Sequence, residues 1–272
     1  MSLVIREIMA NSILNPSAIS GIDYAINPYT GCLHGCVYCY ADFMRRFTGH
    51  KEPWGDFVDV KINSPELLAK QVRKLRPGEI SISTVTDPYQ PVEKKYRLTR
   101  QILETLLDSP FMVSVLTKSS LVLRDLSLIR MMKNCTVGFS IPIFSSEISK
   151  IFEGRASLPS ERFEALRRLA EAGISTWVFV APALPYFSDS EENLEKTFKA
   201  AKECGAEFIM LDTFQTYPRV WHKVKALLQK RFPYLVPLYE EYKETKVHFR
   251  ENLRKKAIEL SQSFDVEVRF AF

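Results

Sequence analysis

The chain has 272 residues, of which 46% are hydrophobic and 25% charged, and its formal net charge is +5. This composition is typical of a globular protein and excludes the disordered and fibrous classes. Residues 1–16 lack the pattern of a secretory signal, and no run reaches the roughly 18 apolar residues that a membrane span needs. We therefore expect a cytoplasmic protein without a membrane partner, in which clustered cysteines bind metal more often than they form disulfides.

Short apolar stretches alternate with amphipathic ones along most of the chain. The predicted strands are 22–29, 79–85, 111–117, 135–143, 175–184 and 206–214. The predicted helices between them are 64–75, 99–107, 121–132, 160–172 and 191–203. This alternation predicts an α/β fold with a parallel sheet, either an open barrel or a flat doubly wound sheet. No linker or repeat interrupts it, so we expect one domain over 1–272, with a core at about 20–215 and a C-terminal α/β extension at about 216–272.

The most unusual segment is a loop with three closely spaced cysteines. Residues 30–41 read TGCLHGCVYCYA, which places Cys32, Cys36 and Cys39 in a C-x3-C-x2-C pattern after the first predicted strand. A structural zinc ion normally takes four ligands, and His34 lies inside the gap between two cysteines, where it is poorly placed to share their ion. A [4Fe-4S] cluster held by three thiolates instead keeps one iron open.

The other two cysteines, Cys135 and Cys204, fall at the start of a predicted strand and the end of a predicted helix. We expect them on the far side of the sheet, as small buried apolar residues.

The loop and its context resemble a known family. An aromatic residue, Tyr38, precedes the last cysteine, and this pattern resembles the signature of the radical S-adenosylmethionine (radical SAM) superfamily. The segments NPYTGCLHGCVYCYA, TDPYQPVE, TKS, GFSIP, FEGRA and VAPALP follow in the order seen in the branch of spore photoproduct lyase and its uncharacterised relatives. The resemblance covers about residues 20–215.

The resemblance implies a partial (β/α)6 TIM-type barrel with the cluster above the carboxyl ends of the strands, held by Cys32, Cys36 and Cys39. It implies that the open iron binds the amino and carboxylate groups of SAM. One electron would then cleave SAM to methionine and a 5′-deoxyadenosyl radical that abstracts hydrogen from a substrate. It also implies an oxygen-sensitive enzyme and an electron donor of the ferredoxin or flavodoxin type.

Further roles follow from the same resemblance. Tyr38 matches the aromatic residue beside the adenine, and Ala181 and Pro182 would flank that ring. Lys118 and Ser140 match contacts to the methionine carboxylate and to the ribose or amino group. Candidate acceptors for the SAM amino group are Thr84, Thr86 and Asp87, and lesser candidates for SAM contacts, or else members of a helix-surface ion pair, are Glu153, Arg155 and Arg162.

One departure bears on the reaction. Spore photoproduct lyases keep a cysteine at the end of the second strand as a hydrogen donor, and Thr84 lies at about that position here. We therefore expect a reaction other than photoproduct repair. The rim residues expected to contact substrate, relay a radical or merely pack are Tyr89, Gln90, Tyr96, Tyr186, Phe187, Asp212, Gln215 and Tyr217.

The substrate class stays open between nucleic acid and a small metabolite. Basic segments at 221–231 and 249–260 are typical of solvated helix faces but also suit a phosphate-bearing partner. The alternatives from other classes are a zinc- or iron–sulfur-stabilised nucleic-acid-binding module without SAM cleavage, and a SAM-binding protein whose cluster serves structure or sensing.

Overall fold

The predicted strands form one mixed sheet. A computed structural model describes residues 3–272. The strands are β1 Val4–Ile8, β2 Leu14–Pro16, β3 Tyr24–Ile26, β4 Tyr29–Thr30, β5 Phe57–Lys61, β6 Glu79–Ile82, β7 Met112–Thr117, β8 Cys135–Ser140, β9 Ser175–Ala183, β10 Phe208–Thr213 and β11 Glu267–Phe270. Eight of them make the large sheet in the order β11-β10-β9-β8-β7-β6-β3-β2.

The large sheet is parallel from β3 to β11, and only β2 runs antiparallel to its neighbour β3. Because β2 and β11 lie at opposite edges of the sheet within residues 3–272, the barrel is open and not closed. The predicted α/β class with a partial TIM-type barrel is thus confirmed. The last strand, β11, extends the sheet beyond the six predicted strands by pairing with β10.

The helices lie between the strands at nearly the expected positions. They are α1 Ser64–Gln71, α2 Glu93–Tyr96, α3 Leu98–Leu106, α4 Leu126–Met131, α5 Ser146–Glu153, α6 Pro159–Glu171, α7 Glu191–Glu203, α8 Pro218–Arg231 and α9 Val236–Phe264. Four 3-10 helices span Tyr40–Phe47, Val72–Lys74, Ser120–Asp125 and Pro233–Leu235. The prediction of one helix over 121–132 was wrong, because Asp125, at φ −107° and ψ 13°, interrupts it.

The core of the fold lies between the sheet and these helices. Helix α6 shows how the sequence builds it, since its spacing of apolar residues buries Phe163, Leu166 and Leu169 on the face toward the sheet. Gly173, at φ +79°, follows the C-cap of α6, where a left-handed residue ends a helix at low cost. No helix within residues 3–272 combines the length and the apolar character required to cross a membrane.

A small second sheet carries the cysteine loop. Its order is β1-β5-β4, with β1 parallel and β4 antiparallel to β5. Strand β4 ends at Thr30 and leads directly into the segment that contains Cys32. This sheet was not predicted, because it joins the start of the chain to a strand about fifty residues later.

Candidate functional site

The cysteine loop is fixed to the fold by its backbone. Gly31 has φ +91°, and a Cβ atom there would lie 2.5 Å from the carbonyl oxygen of Phe57, so only glycine allows this approach. The Gly31 carbonyl accepts hydrogen bonds from Thr86 Oγ1 at 2.7 Å and from Gln90 Nε2 at 3.1 Å. Gln90 Oε1 in turn accepts from the Leu33 amide at 2.8 Å. These bonds hold the loop against the segment that follows β6.

All three loop cysteines line one cavity at the carboxyl ends of the parallel strands. The cavity has a volume of about 200 Å³. The predicted site residues that line it are Cys32, Cys36, Cys39, Tyr38, Thr84, Thr86, Asp87, Lys118, Ser140, Ala181 and Pro182. In residues 3–272, no group of three or more His, Cys, Asp and Glu side chains is arranged to hold a single metal ion.

Burial controls the protonation of the thiols. It raises the pKa of Cys32, where the nearby Asp87 carboxylate adds to the effect, and it raises the pKa of Cys39. At Cys36 burial raises the pKa to about 12 although Lys118 opposes it. Iron binds thiolates and not thiols, so binding of iron here would release protons from the cysteines. The positive charge of the iron would then compensate the negative charge of the buried thiolates.

The other two cysteines lie away from the cavity, and only Cys135 is buried as expected. Cys135 is buried at the start of β8 within the main core, and burial raises its pKa to about 12. Cys204 is half-buried at the C-terminal cap of α7.

A buried ion pair lies directly behind the loop. Glu153 Oε2 receives a hydrogen bond from Arg162 Nη2 at 2.5 Å, and the two side chains are 2% and 0% exposed. Glu153 also accepts from the hydroxyl of Tyr38, which stands between Cys36 and Cys39. Burial would raise the pKa of Glu153, but Arg162 and Lys118 outweigh it and lower that pKa.

This pair differs from the sequence-based expectation of SAM contacts or a surface ion pair. Glu153 and Arg162 do not line the cavity. Arg162 Nη1 instead donates to the Ser140 carbonyl oxygen at 2.8 Å and its Nε donates to the Ser157 carbonyl oxygen at 2.8 Å. The pair therefore joins the cysteine loop to the end of β8 from behind the cavity wall.

Arg155 also lies outside the cavity lining. Its Nη1 donates to the carbonyl oxygens of Leu33, at 3.1 Å, and Gly55, at 2.6 Å, so it ties the cysteine loop to the segment before β5. The preceding Gly154 has φ +51°, where proline cannot stand, and a Cβ atom there would lie 2.5 Å from the His34 carbonyl oxygen. This close approach explains why glycine occupies that position.

Lys118 and Ser140 form a polar corner of the cavity. Lys118 Nζ donates to Ser140 Oγ at 2.6 Å, and Ser140 Oγ donates to the Ala181 carbonyl oxygen at 3.0 Å. Lys118 Nζ also lies 5.6 Å from the centre of the Tyr38 ring, within cation–π range. A cation therefore stands beside an aromatic face at the edge of the thiol group.

Asp87 is saturated with internal contacts. Its carboxylate accepts from Thr117 Oγ1, the Lys118 amide and the Tyr89 amide at 2.7, 2.7 and 2.8 Å. His34 Nδ1 lies 3.4 Å from Asp87 Oδ2, close enough for electrostatic attraction. Burial would raise the pKa of Asp87, but His34 and these hydrogen bonds lower it to about 2.

The rim residues are divided by the structure. Asp212 and Gln215 line the cavity, whereas Tyr89 and Gln90 are fully buried and serve internal contacts. Tyr96 bonds to Glu7 Oε1 at 2.9 Å on the outer surface. Tyr186 and Phe187 line a separate small pocket near the start of α7.

An open groove adjoins the cavity through a shared residue, Tyr40. It has a volume of about 650 Å³, and its walls also carry Phe43, Arg46, Tyr217 and Arg219. Tyr40 and Tyr217 are 47% and 57% exposed, and the Arg46 guanidinium lies 5.4 Å from the centre of the Phe43 ring. Of this set only Tyr217 was expected from the sequence, because arginine and aromatic residues next to a motif carry no distinctive pattern.

Within residues 3–272, six buried polar side-chain atoms have no hydrogen-bond partner, and two of them belong to residues that line the cavity. Ser83 Oγ and His34 Nδ1 line the cavity, and Trp54 Nε1 lies in the same apolar cluster as Cys32. Three thiols and unpartnered polar atoms around one cavity suit a bound group that is ligated by thiolates and also accepts or donates hydrogen bonds. The donor set therefore fits the cluster and SAM expected from the sequence.

Comparisons with known proteins agree with this geometry. Residues 26–201 match the sequence model of the radical SAM superfamily. An uncharacterised protein of Methanocaldococcus jannaschii is 38% identical over 229 residues, which cover 84% of this chain and 84% of that protein. An uncharacterised protein of Mycobacterium tuberculosis is 29% identical over 265 residues, covering 88% of this chain and 77% of that protein.

Solved structures show the same fold. Spore photoproduct lyase complexed with dinucleoside spore photoproduct superposes with a TM-score of 0.71 at 17% identity, over 98% of this chain and 82% of that chain. A mutant of the lyase with bound AdoMet and the dinucleoside gives a TM-score of 0.71 at 17% identity, over 99% and 82% of the two chains. The resemblance to the superfamily and to the fold of this lyase is thereby confirmed.

Proposed function

Because the chain belongs to the radical SAM superfamily, we propose that it is an enzyme that cleaves S-adenosylmethionine reductively at a [4Fe-4S] cluster. The observation that carries this proposal is that Cys32, Cys36 and Cys39 line one cavity at the carboxyl ends of the strands. Three thiolates would hold the cluster and keep one iron free for SAM. When bound, the cluster and SAM together supply one electron and a 5′-deoxyadenosyl radical.

The residues around the thiols would bind and orient SAM. The Lys118 ammonium, beside Ser140, suits the SAM carboxylate, and the Tyr38 ring with Ala181 and Pro182 offers apolar surface to the adenine. The buried walls of the cavity would exclude water from the reacting carbon. Glu153, Arg155 and Arg162 would act from behind as positioning residues that fix the loop, not as SAM contacts.

We propose nucleic acid, in preference to a small metabolite, as the substrate class. The groove that adjoins the cavity combines the half-exposed tyrosines Tyr40 and Tyr217 with the guanidinium groups of Arg46 and Arg219. Aromatic faces stack on bases and guanidinium groups bind phosphates, so this combination suits a single-stranded or extruded segment. The structural neighbour's dinucleoside ligand supports the same class.

The reaction would differ from that of the lyase. Thr84 follows β6 where the lyase family keeps its cysteine, and its hydroxyl already accepts a hydrogen bond from Asn27 Nδ2 at 3.3 Å. A hydroxyl is a poor hydrogen-atom donor, so we expect no efficient repair of dinucleoside spore photoproduct. Detection of such repair by the reduced enzyme would show that this part of the proposal is wrong.

The proposal is tested by anaerobic reconstitution with iron and sulfide, reduction with dithionite and quantification of 5′-deoxyadenosine after addition of SAM. We expect product from the wild type and none from Cys36→Ala. A cluster-loaded wild type that binds SAM but forms no 5′-deoxyadenosine, with or without nucleic acid, would contradict it. That result would favour the alternative of a SAM-binding protein whose cluster serves structure or sensing.

The substrate class has its own test. Binding of a single-stranded oligonucleotide should weaken steeply between about 50 and 200 mM salt, because phosphate contacts release counterions. Arg46→Ala and Arg219→Ala should weaken binding and flatten this salt dependence, whereas the exposed Arg167→Ala on α6 should change neither. Absence of binding at low salt would favour a small metabolite.

The ferredoxin- or flavodoxin-type donor, the single domain and the cytoplasmic location remain predictions.

A further inference from the structure

Ser83, immediately after β6, combines two unusual features. Its backbone has φ +69°, in the left-handed region that favours glycine. Its side chain is buried, at 6% exposure of the residue, and lines the cavity next to the thiols. Within residues 3–272 its hydroxyl has no hydrogen-bond partner. Most buried hydroxyls have a hydrogen-bond partner, so this one is a candidate to bond to a group held in the cavity that the residue lines.

The surrounding backbone holds this conformation firmly. The Ser83 amide donates to the Ile26 carbonyl oxygen at 2.7 Å. Asn27 Oδ1 then accepts from the amides of Thr84 and Val85 at 3.0 and 3.1 Å. Because these bonds fix the turn on both sides of Ser83, its side chain is directed toward the cavity by the fold and not by a contact of its own.

The neighbouring side chains are already engaged. Thr84 Oγ1 accepts from Asn27, and Thr86 Oγ1 donates to the Gly31 carbonyl oxygen and accepts from Gln90 Nε2 at 2.8 Å. Asp87 is occupied by its bonds from Thr117 at the end of β7, from the Lys118 amide and from its own turn. Among the polar side chains of 83–87, Ser83 alone has an unpartnered oxygen in the described structure.

These observations move a predicted role from one residue to another. We propose that Ser83 Oγ accepts a hydrogen bond from the ammonium of the amino-acid part of SAM, in place of the side chains of Thr84, Thr86 and Asp87. The inference rests on the proposed function. A hydroxyl oxygen is a suitable acceptor for an ammonium, and the buried carboxylate of Asp87 nearby keeps this end of the cavity negative. Lys118, at the end of the next strand, β7, suits the carboxylate of the same amino acid.

The test measures binding and stability with two substitutions at this position. Ser83→Ala removes the hydroxyl and keeps the left-handed strain, whereas Ser83→Gly removes both. SAM affinity is measured by equilibrium dialysis on the anaerobically reconstituted protein, in parallel with the SAM analogue that lacks the α-amino group. Thermal unfolding of the cluster-free protein supplies a readout that does not depend on activity. Arg97→Gly is the matched control, since Arg97 is exposed, has φ +53° and lies away from the cavity.

We expect Ser83→Ala and Ser83→Gly to weaken SAM binding about tenfold, which corresponds to about 1.4 kcal/mol, and to leave binding of the deaminated analogue unchanged. Ser83→Gly and Arg97→Gly should both raise the melting temperature, and Arg97→Gly should leave SAM binding at the wild-type level.

Wild-type SAM affinity in both Ser83 variants, or an equal loss for SAM and the deaminated analogue, would overturn the inference alone. Failure of the wild type to bind SAM at all would overturn the proposed function and the inference with it.

Discussion

Removal of the Arg162 side chain should destabilise the protein more than any surface substitution on the same helix. Arg162→Met leaves Glu153 buried at 2% exposure without its partner. Breaking a buried ion pair from one side typically costs about 3–5 kcal/mol. Without Arg162, only Lys118 and the hydroxyl groups of Tyr38 and Ser149 offset the burial of the Glu153 carboxylate, so we expect a loss at the low end of this range, about 3 kcal/mol. At about 2–4 °C per kcal/mol for a chain approaching this size, the melting temperature should fall by roughly 6–12 °C.

The assay is urea unfolding of the cluster-free protein under reducing conditions, so that metal binding does not contribute to stability. A double-mutant cycle with Glu153→Gln isolates the pair, and the double variant should be more stable than the sum of the single losses predicts. Arg167→Met is the matched control on α6, because Arg167 and its partners Glu164 and Glu171 are 42%, 52% and 60% exposed. Arg167→Met should lower the free energy of unfolding by less than about 1 kcal/mol. A loss for Arg162→Met no larger than this, or a coupling near zero, would show that the buried pair does not stabilise the fold.

Three further predictions concern the loop and its neighbours. Gly154→Ala should place a Cβ atom 2.5 Å from the His34 carbonyl oxygen and so reduce the amount of iron that the protein retains after reconstitution. Gly173→Ala is the control, since a Cβ atom at Gly173 meets no other atom within 4 Å, and this variant should retain as much iron as the wild type. Lys118→Met should weaken the binding of SAM but not of decarboxylated SAM, both measured by equilibrium dialysis. An equal loss of affinity for the two compounds would contradict the role of Lys118 in binding the carboxylate. Asp87→Asn should lower the free energy of unfolding, measured in urea, by about 2 kcal/mol near pH 6. A carboxylate with a lowered pKa stabilises the fold only while it is charged, so the difference between variant and wild type should shrink as the pH falls from about 3.8 toward 2. A deficit independent of pH would contradict that assignment.

The sequence predicted the features that depend on local pattern. The spacing of the cysteines located the loop, and the alternation of strands and helices from residue 79 onward located β6 to β10, since both patterns are contained in short segments. The small sheet could not be predicted in this way, because β1 and β5 pair across about fifty residues and neither has a distinctive pattern.

The site residues that the sequence did not predict are likewise those whose position depends on contacts between distant segments. The position of Arg162 on an amphipathic helix resembles a solvent-facing residue, and only the fold shows that it is fully buried behind Tyr38. Ser83 carries no sequence signal for its left-handed backbone, because that conformation is imposed by Asn27 and Ile26 from another strand and its following turn. Gly154 also carries no signal of its own in the sequence, and only its contact with the His34 carbonyl oxygen explains the glycine there.

We propose above that the three-cysteine loop holds a cluster with one iron open to SAM. The most direct test of this proposal is the electron paramagnetic resonance spectrum of the anaerobically reconstituted, dithionite-reduced protein, recorded before and after addition of SAM. We expect a cluster signal in the wild type that changes when SAM binds, and loss of that signal in Cys36→Ala. A signal that saturating SAM leaves unchanged, or a loop that holds one zinc ion and gives no signal, would contradict it.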